Sequence, residues 1–128
     1  MRHRKKVKKL GLASDHRKAL LNNLFTSILK SGRVKTLESR GKALVQFGNK
    51  LIEKAKKGDL SSKRSVSSHI TNKEVSINFF KETLPKLASR TGGHFRIMKL
   101  GLRKGDGASM VLVELILDEE SSRPKTKD

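Results

Sequence analysis

Apolar residues change their spacing twice along this chain, and each change marks a different kind of element. Leu20, Leu21, Leu24, Phe25, Ile28 and Leu29 recur at three- and four-residue intervals, the spacing of one broad helix face. Ser14 and Asp15 precede that face. The serine suits an N-cap, and the carboxylate lies where the helix dipole is positive. Gly32 stands where a left-handed stop belongs, with Lys30 in the last turn. "RVKTL" then alternates charged and apolar or β-branched residues and predicts a short strand over 33–36. Helical spacing resumes over 37–57 through Leu37, Leu44, Phe47, Leu51, Ile52 and Ala55, and stops at Gly58. Gly41 and Gly48 cost that helix propensity. With Ala55 they repeat every seven residues, which makes either a seat for a closely packed second helix or a run of tolerated poor helix formers.

The segment "GDLSSKRSVSSHI" offers Asp59 as a cap but only Val66 and Ile70 as firm apolar anchors, so it predicts a short, weakly packed helix. Thr71 and Glu74 follow at capping-box spacing, ahead of Val75, Phe79, Phe80 and Leu84. That fourth helix is expected to end near Pro85, whose ring restricts the preceding residue. Past "SRTGGH" the period falls to two. "FRIMKLG" reads as one strand and "MVLVELIL" as a longer one, joined by the glycine-rich link "GLRKGDGAS". Val111, Val113, Leu115 and Leu117 share one face of the last strand, while Met110, Leu112 and Ile116 keep the other largely apolar. A strand apolar on both faces prefers the middle of a sheet. The order helix, strand, three helices, two strands predicts a single α+β domain over 14–118 with a small three-stranded mixed sheet. The basic arm 1–13 and the tail 119–128, which lacks apolar residues from Glu119 on, are expected to be disordered. No internal repeat is visible.

Charge changes the picture most. The chain holds 30 Lys and Arg against 12 Asp and Glu in 128 residues, a formal net charge of +18. Such a charge repels itself in the compact state and points to a polyanionic partner. The opening "MRHRKKVKKLGL" contains six Lys or Arg and no acid. Asp15, His16, Arg17 and Lys18 break the apolar stretch that a secretory signal needs, and the arm lacks the amphipathic stripe of a transit peptide. No run reaches the roughly 18 apolar residues of a membrane span. With no cysteine, disulfides, thiolate metal sites and cysteine nucleophiles are excluded. Trp and Tyr are absent too, so contact with phosphate and sugar is expected more than stacking on splayed bases.

Catalytic chemistry finds no foothold. His3, His16, His69 and His94 do not pair at ligand spacing, and no carboxylate pattern surrounds them. "RKGDGAS" lacks the lysine-plus-hydroxyl ending of a nucleotide loop and leads into a strand where a helix is required. No catalytic, metal or cofactor-binding residue is assigned, and neither a cofactor nor a small-molecule substrate is expected. The cations, in contrast, are organised along the chain, at the arm, at "DHRK", "GRVK", "FRIMK" and "LRKG". Distribution over a compact domain plus an extended arm suits an irregular folded RNA better than a duplex groove. The candidate RNA-binding residues are Arg2, His3, Arg4, Lys5, Lys6, Lys8, Lys9, His16, Arg17, Lys18, Arg33, Lys35, Arg96, Lys99, Arg103 and Lys104.

"MRHRKKVKKLGLASDHRKALLNNL", "GRVKT", "LIEKAKKGDL", "NKEV" and "GGHFRIMKLGLRKGDGASM" together closely resemble the bacterial ribosomal protein L-seventeen family, collinearly from residue 1 to about 117. The resemblance implies a non-enzymatic structural protein of the large subunit that binds 23S rRNA. It implies a place in the cytoplasmic ribosome near the nascent-chain exit, beside other large-subunit proteins. No homo-oligomer is expected. It also implies a three-stranded mixed sheet with the last strand in the middle. Val7 departs from a glycine common in the family's arm, and His94 stands where a tyrosine is frequent. The competing classes are a non-ribosomal nucleic-acid-binding protein and a membrane-surface protein. For the latter, Val7, Leu10 and Leu12 supply too small an apolar face.

Overall fold

In the computed structural model of the chain, residues 10–88 and 90–117 are described. The expectations for residues 2–9 and for the tail 119–128 lie outside them. Helix α1 (Ser14–Ser31) leads through Gly32 into strand β1 (Arg33–Leu37) and helix α2 (Glu38–Lys56). Helices α3 (Leu60–Ser67) and α4 (Lys73–Asn78), a π-helical turn (Phe79–Thr83) and α5 (Leu84–Leu87) follow, then strands β2 (Phe95–Leu102) and β3 (Ser109–Leu115). The last three helical pieces run on from one another and form the expected fourth helix.

The sheet has the order β1-β3-β2, with β3 in the middle as its two apolar faces require. Both pairings are antiparallel, with Val113 opposite Val34 and Ile97. The expected mixed sheet is therefore corrected. β1 and β2 run parallel to each other, but β3 separates them, so no parallel ladder forms.

The inward face of β3 carries Val111 and Val113, both fully buried. Against it lies the glycine stripe of α2. A Cβ added at Gly41 would stand 2.6 Å from Val111 Cγ2, and one at Gly48 would stand 2.5 Å from the Phe95 ring. The stripe thus seats the sheet, not a second helix as one reading of the spacing had it. Phe25 of α1 joins this core, edge-on to Phe47 at 6.0 Å and to Phe79 at 6.3 Å between ring centres.

Two helix caps differ from the sequence reading, while the fourth helix does end near Pro85. Ala13, not Ser14, is the N-cap of α1 and makes no side-chain cap bond. The turn through Leu10 and Gly11, both at positive φ, delivers Ser14 already inside the helix. At α4 the capping side chain is Asn72, whose Oδ1 accepts from the Glu74 and Val75 amides. The Thr71 hydroxyl turns instead to Thr26, and the Thr71 amide donates to Thr26 Oγ1 at 3.0 Å, fastening α4 to α1. Pro85 lies inside the last turn, and the helix ends two residues beyond it at Leu87. The proline lacks an N–H and crowds the carbonyl four residues back, and the turn ahead of it widens so that the Leu84 amide donates to the Phe79 carbonyl. That single wide turn lets the helix run on to the buried Leu87.

Candidate nucleic-acid interface

Helices α1 and α2 cover one face of the sheet and share one apolar cluster with Val111, Val113 and Phe95. Side chains alternate across a strand, so the register assigns the other face. Arg33, Lys35 and Leu37 stand on it from β1, Glu114, Leu112 and Met110 from β3, and Arg96 and Met98 from β2. Arg33, Lys35 and Arg96 are exposed there. Arg96 donates to Glu114 Oε2 at 2.9 Å, which partly neutralises that end of the face. Lys99 belongs to the opposite face, since it pairs with Val111. It reaches solvent at the sheet margin and adds a small contribution to holding the Glu38 carboxyl below its ordinary range, after the Ser109 hydroxyl and Lys42.

The β2–β3 connection is shorter than the glycine-rich link "GLRKGDGAS", because β2 takes in its first two residues. The strand continues to Leu102, and the Arg103 amide donates to the Ala108 carbonyl at 2.7 Å. Asp106 organises the turn. Its Oδ1 accepts from the Ala108 amide at 3.1 Å and from Arg103 Nε at 3.0 Å, while Oδ2 accepts from Arg103 Nη2. The guanidinium holds the Asp106 carboxyl down to about 2. Much of the Arg103 fork is therefore committed to its own turn, and Lys104 is the exposed cation beside it.

Between β2 and β3 the ladder is irregular at Lys99 and Gly101, leaving Leu100 as an extra residue. Beside that bulge lies a hollow of about 250 Å³, lined by Lys35, Leu100, Gly101, Leu102, Arg103, Lys104 and Met110. Three of the candidate cations are thus brought together around two exposed leucines that the sequence reading passed over. The available signal was "LGLRKG", where two leucines sit in a stretch too polar and glycine-rich to bury them.

His16, Arg17 and Lys18 lie in the first turns of α1, with His16 and Lys18 exposed and Arg17 half-buried. Arg2, His3, Arg4, Lys5, Lys6, Lys8 and Lys9 fall outside the described residues. The two other histidines are structural. His69 Nδ1 lies 3.0 Å from Asn22 Oδ1, its ring meets Phe47 edge-on, and burial pushes its pKa down with help from the Lys54 charge. His94 is wholly buried and its Nε2 donates to Glu53 Oε1 at 2.7 Å. That partner is 41 residues away in sequence, which local spacing does not reveal. Among the described residues no three His, Asp or Glu side chains gather to hold a metal ion, and no helix is long and apolar enough to cross a membrane.

The family profile described as Ribosomal protein L17 matches residues 20–116. The large ribosomal subunit protein bL17 of Clostridium novyi is 48% identical over 109 residues, covering 85% of this chain and 96% of that protein. Its counterpart from Desulforapulum autotrophicum is 46% identical over 119 residues, covering 93% of this chain and 99% of that protein.

Proposed function

We propose that this chain, which belongs to the ribosomal protein L17 family, is a non-enzymatic constituent of the large ribosomal subunit that binds 23S rRNA through its arm and the cations of its sheet and hairpin. Membership makes it a protein of the bacterial cytoplasmic ribosome. The observation that supports RNA binding is the set of exposed cations that make no ion pair. Arg33, Lys35, Lys99 and Lys104 are exposed, and among the described residues none makes an ion pair, whereas Arg96, Arg103 and Lys42 each have one. The apolar core closes without those four, so their charge stays available to an anionic partner. In this reading Arg33, Lys35, Lys104 and the start of α1 meet phosphates, and the six arm cations extend the same contact.

The test is salt dependence. Removing residues 2–9 deletes six cations and should flatten the slope of log affinity against log salt by roughly 4–5, with the melting temperature near the parent's. An unchanged slope would show that the arm does not meet RNA. A seat near the nascent-chain exit, beside neighbouring large-subunit proteins, follows from the family resemblance. Crosslinks from Lys18 in intact subunits that reach only components remote from the exit would remove it.

A further inference from the structure

The hollow at the hairpin end of the sheet has a composition that phosphate contacts alone would not account for. Single exposed apolar residues are ordinary on protein surfaces, but here Leu100 is 48% and Leu102 75% exposed, and both wall one depression. Met110 lines it as well, and Lys35, Arg103 and Lys104 form its cationic side. No carboxylate lines the hollow, and the nearby Asp106 is occupied by Arg103 and the Ala108 amide.

Aliphatic walls with a cationic rim suit a flat, weakly polar group that carries a negative charge at its edge. A peptide would need an acid beside its apolar anchor for each cation it covers, whereas a nucleotide combines both features in one unit. Exposed aromatic platforms for a base are scarce elsewhere. The chain has no Trp or Tyr, Phe25, Phe79 and Phe95 are buried in the core, and Phe47 and Phe80 are half-buried against it. We propose that the hollow takes one unpaired rRNA nucleotide, its base against Leu100, Leu102 and Met110 and its phosphate on Lys35 and Lys104. Proteins read single-stranded RNA by accepting bases out of the stack, and apolar side chains serve as walls for them. Asp106 then has a positioning role, since it fixes the turn and keeps the Arg103 fork at the rim. The proposal rests on the rRNA-binding reading and adds a defined pocket to it.

The experiment compares the full chain with Leu100→Ala/Leu102→Ala on protein-free large-subunit rRNA across a salt series. Loss of the base contact should weaken binding about tenfold. The salt slope should not change, because no charge is removed, and the melting temperature should hold, because both side chains are exposed. Lys35→Ala should instead lower the slope by about one. A loss below twofold in the double variant, with the parent binding normally, overturns the pocket and leaves RNA binding intact. A parent that does not bind the RNA brings down both readings. A photo-crosslinker placed at Leu102 in intact subunits should react with a single rRNA nucleotide. Reaction with a protein, with a second copy of this chain or with nothing overturns the proposal.

Discussion

Glu53→Ala should destabilise the domain although Glu53 lies on the surface side of α2. His94 is fully buried, its Nδ1 has no hydrogen-bond partner among the described residues, and Nε2 has Glu53 Oε1 at 2.7 Å. Truncating the glutamate leaves the imidazole with both nitrogens unmet, a penalty of about 1–3 kcal/mol. The Glu53 side chain is 48% exposed, so water follows into the gap and the loss belongs in the lower half, about 1–2 kcal/mol. Its contact with Lys56 at 3.4 Å is a surface pair and contributes at most about 1 kcal/mol. Glu53→Gln keeps an acceptor and should recover most of the loss. In a His94→Leu background there is no buried nitrogen to strand, so Glu53→Ala should fall within about 0.5 kcal/mol, as surface changes do. The sign with pH follows from the bond to His94, which holds the Glu53 carboxyl below its ordinary value. A depressed folded pKa contributes stability above the unfolded value that is lost as pH falls through the folded one, and Glu53→Ala should remove that part of the acid sensitivity. Urea unfolding by far-UV circular dichroism is the assay, since there is no Trp or Tyr to report by fluorescence. Equal losses in both backgrounds would refute the pairing as a source of stability.

Other outcomes can be stated briefly. The Asp106 carboxyl should titrate near pH 2 by NMR. The turn should therefore keep its Arg103 contact as pH falls through the ordinary carboxylate range and lose it only below; a midpoint near the unperturbed value of about 3.9 would contradict the contact. Gly48→Ala gains about 1 kcal/mol of helix propensity. It also drives a methyl to within 2.6 Å of two Phe95 ring atoms, an overpacking cost of about 1–3 kcal/mol, so melting should fall and not rise. Phe25→Ala removes a fully buried ring that touches two other phenylalanines and should cost about 3–5 kcal/mol; a loss below about 1 kcal/mol would mean that the helices do not close over it.

What the sequence revealed depended on the range over which each feature is encoded. Leu24, Phe25, Ile28 and Leu29 repeat within one helix, so periodicity alone placed α1. The central position of β3 was legible for the same reason, since a strand apolar on both faces has nowhere else to go. Strand direction is a different kind of fact. It depends on how three helices return the chain to the far side of β3, and nothing in "FRIMKLG" or "RVKTL" states it. Caps are local, yet they were misassigned, because Ser14 and Thr71 each had a competitor one residue away and a tertiary contact, Thr71 with Thr26, decided the second case.

The site divides along the same line. Cations are legible as residue types, and Arg33, Lys35, Arg103 and Lys104 did arrive on or beside one open face. Their availability was not legible, because it depends on which acid the fold delivers to each. Register brings Glu114 to Arg96, and a three-residue step in the turn brings Asp106 to Arg103. Among the described residues Arg33, Lys35, Lys99 and Lys104 make no ion pair, although Glu114 also stands opposite Arg33 in the register and Lys99 acts at longer range on Glu38. An excess of charge in a composition therefore says only that an anion is wanted. The antiparallel register shows which cations share the uncovered part of the sheet, at its edge and hairpin end, with apolar side chains exposed beside them. A surface built only to repel its neighbours would have no use for Leu100 and Leu102 in that position. A surface that receives a folded RNA does, because a base expelled from its own stack needs an apolar wall as much as its phosphate needs a cation.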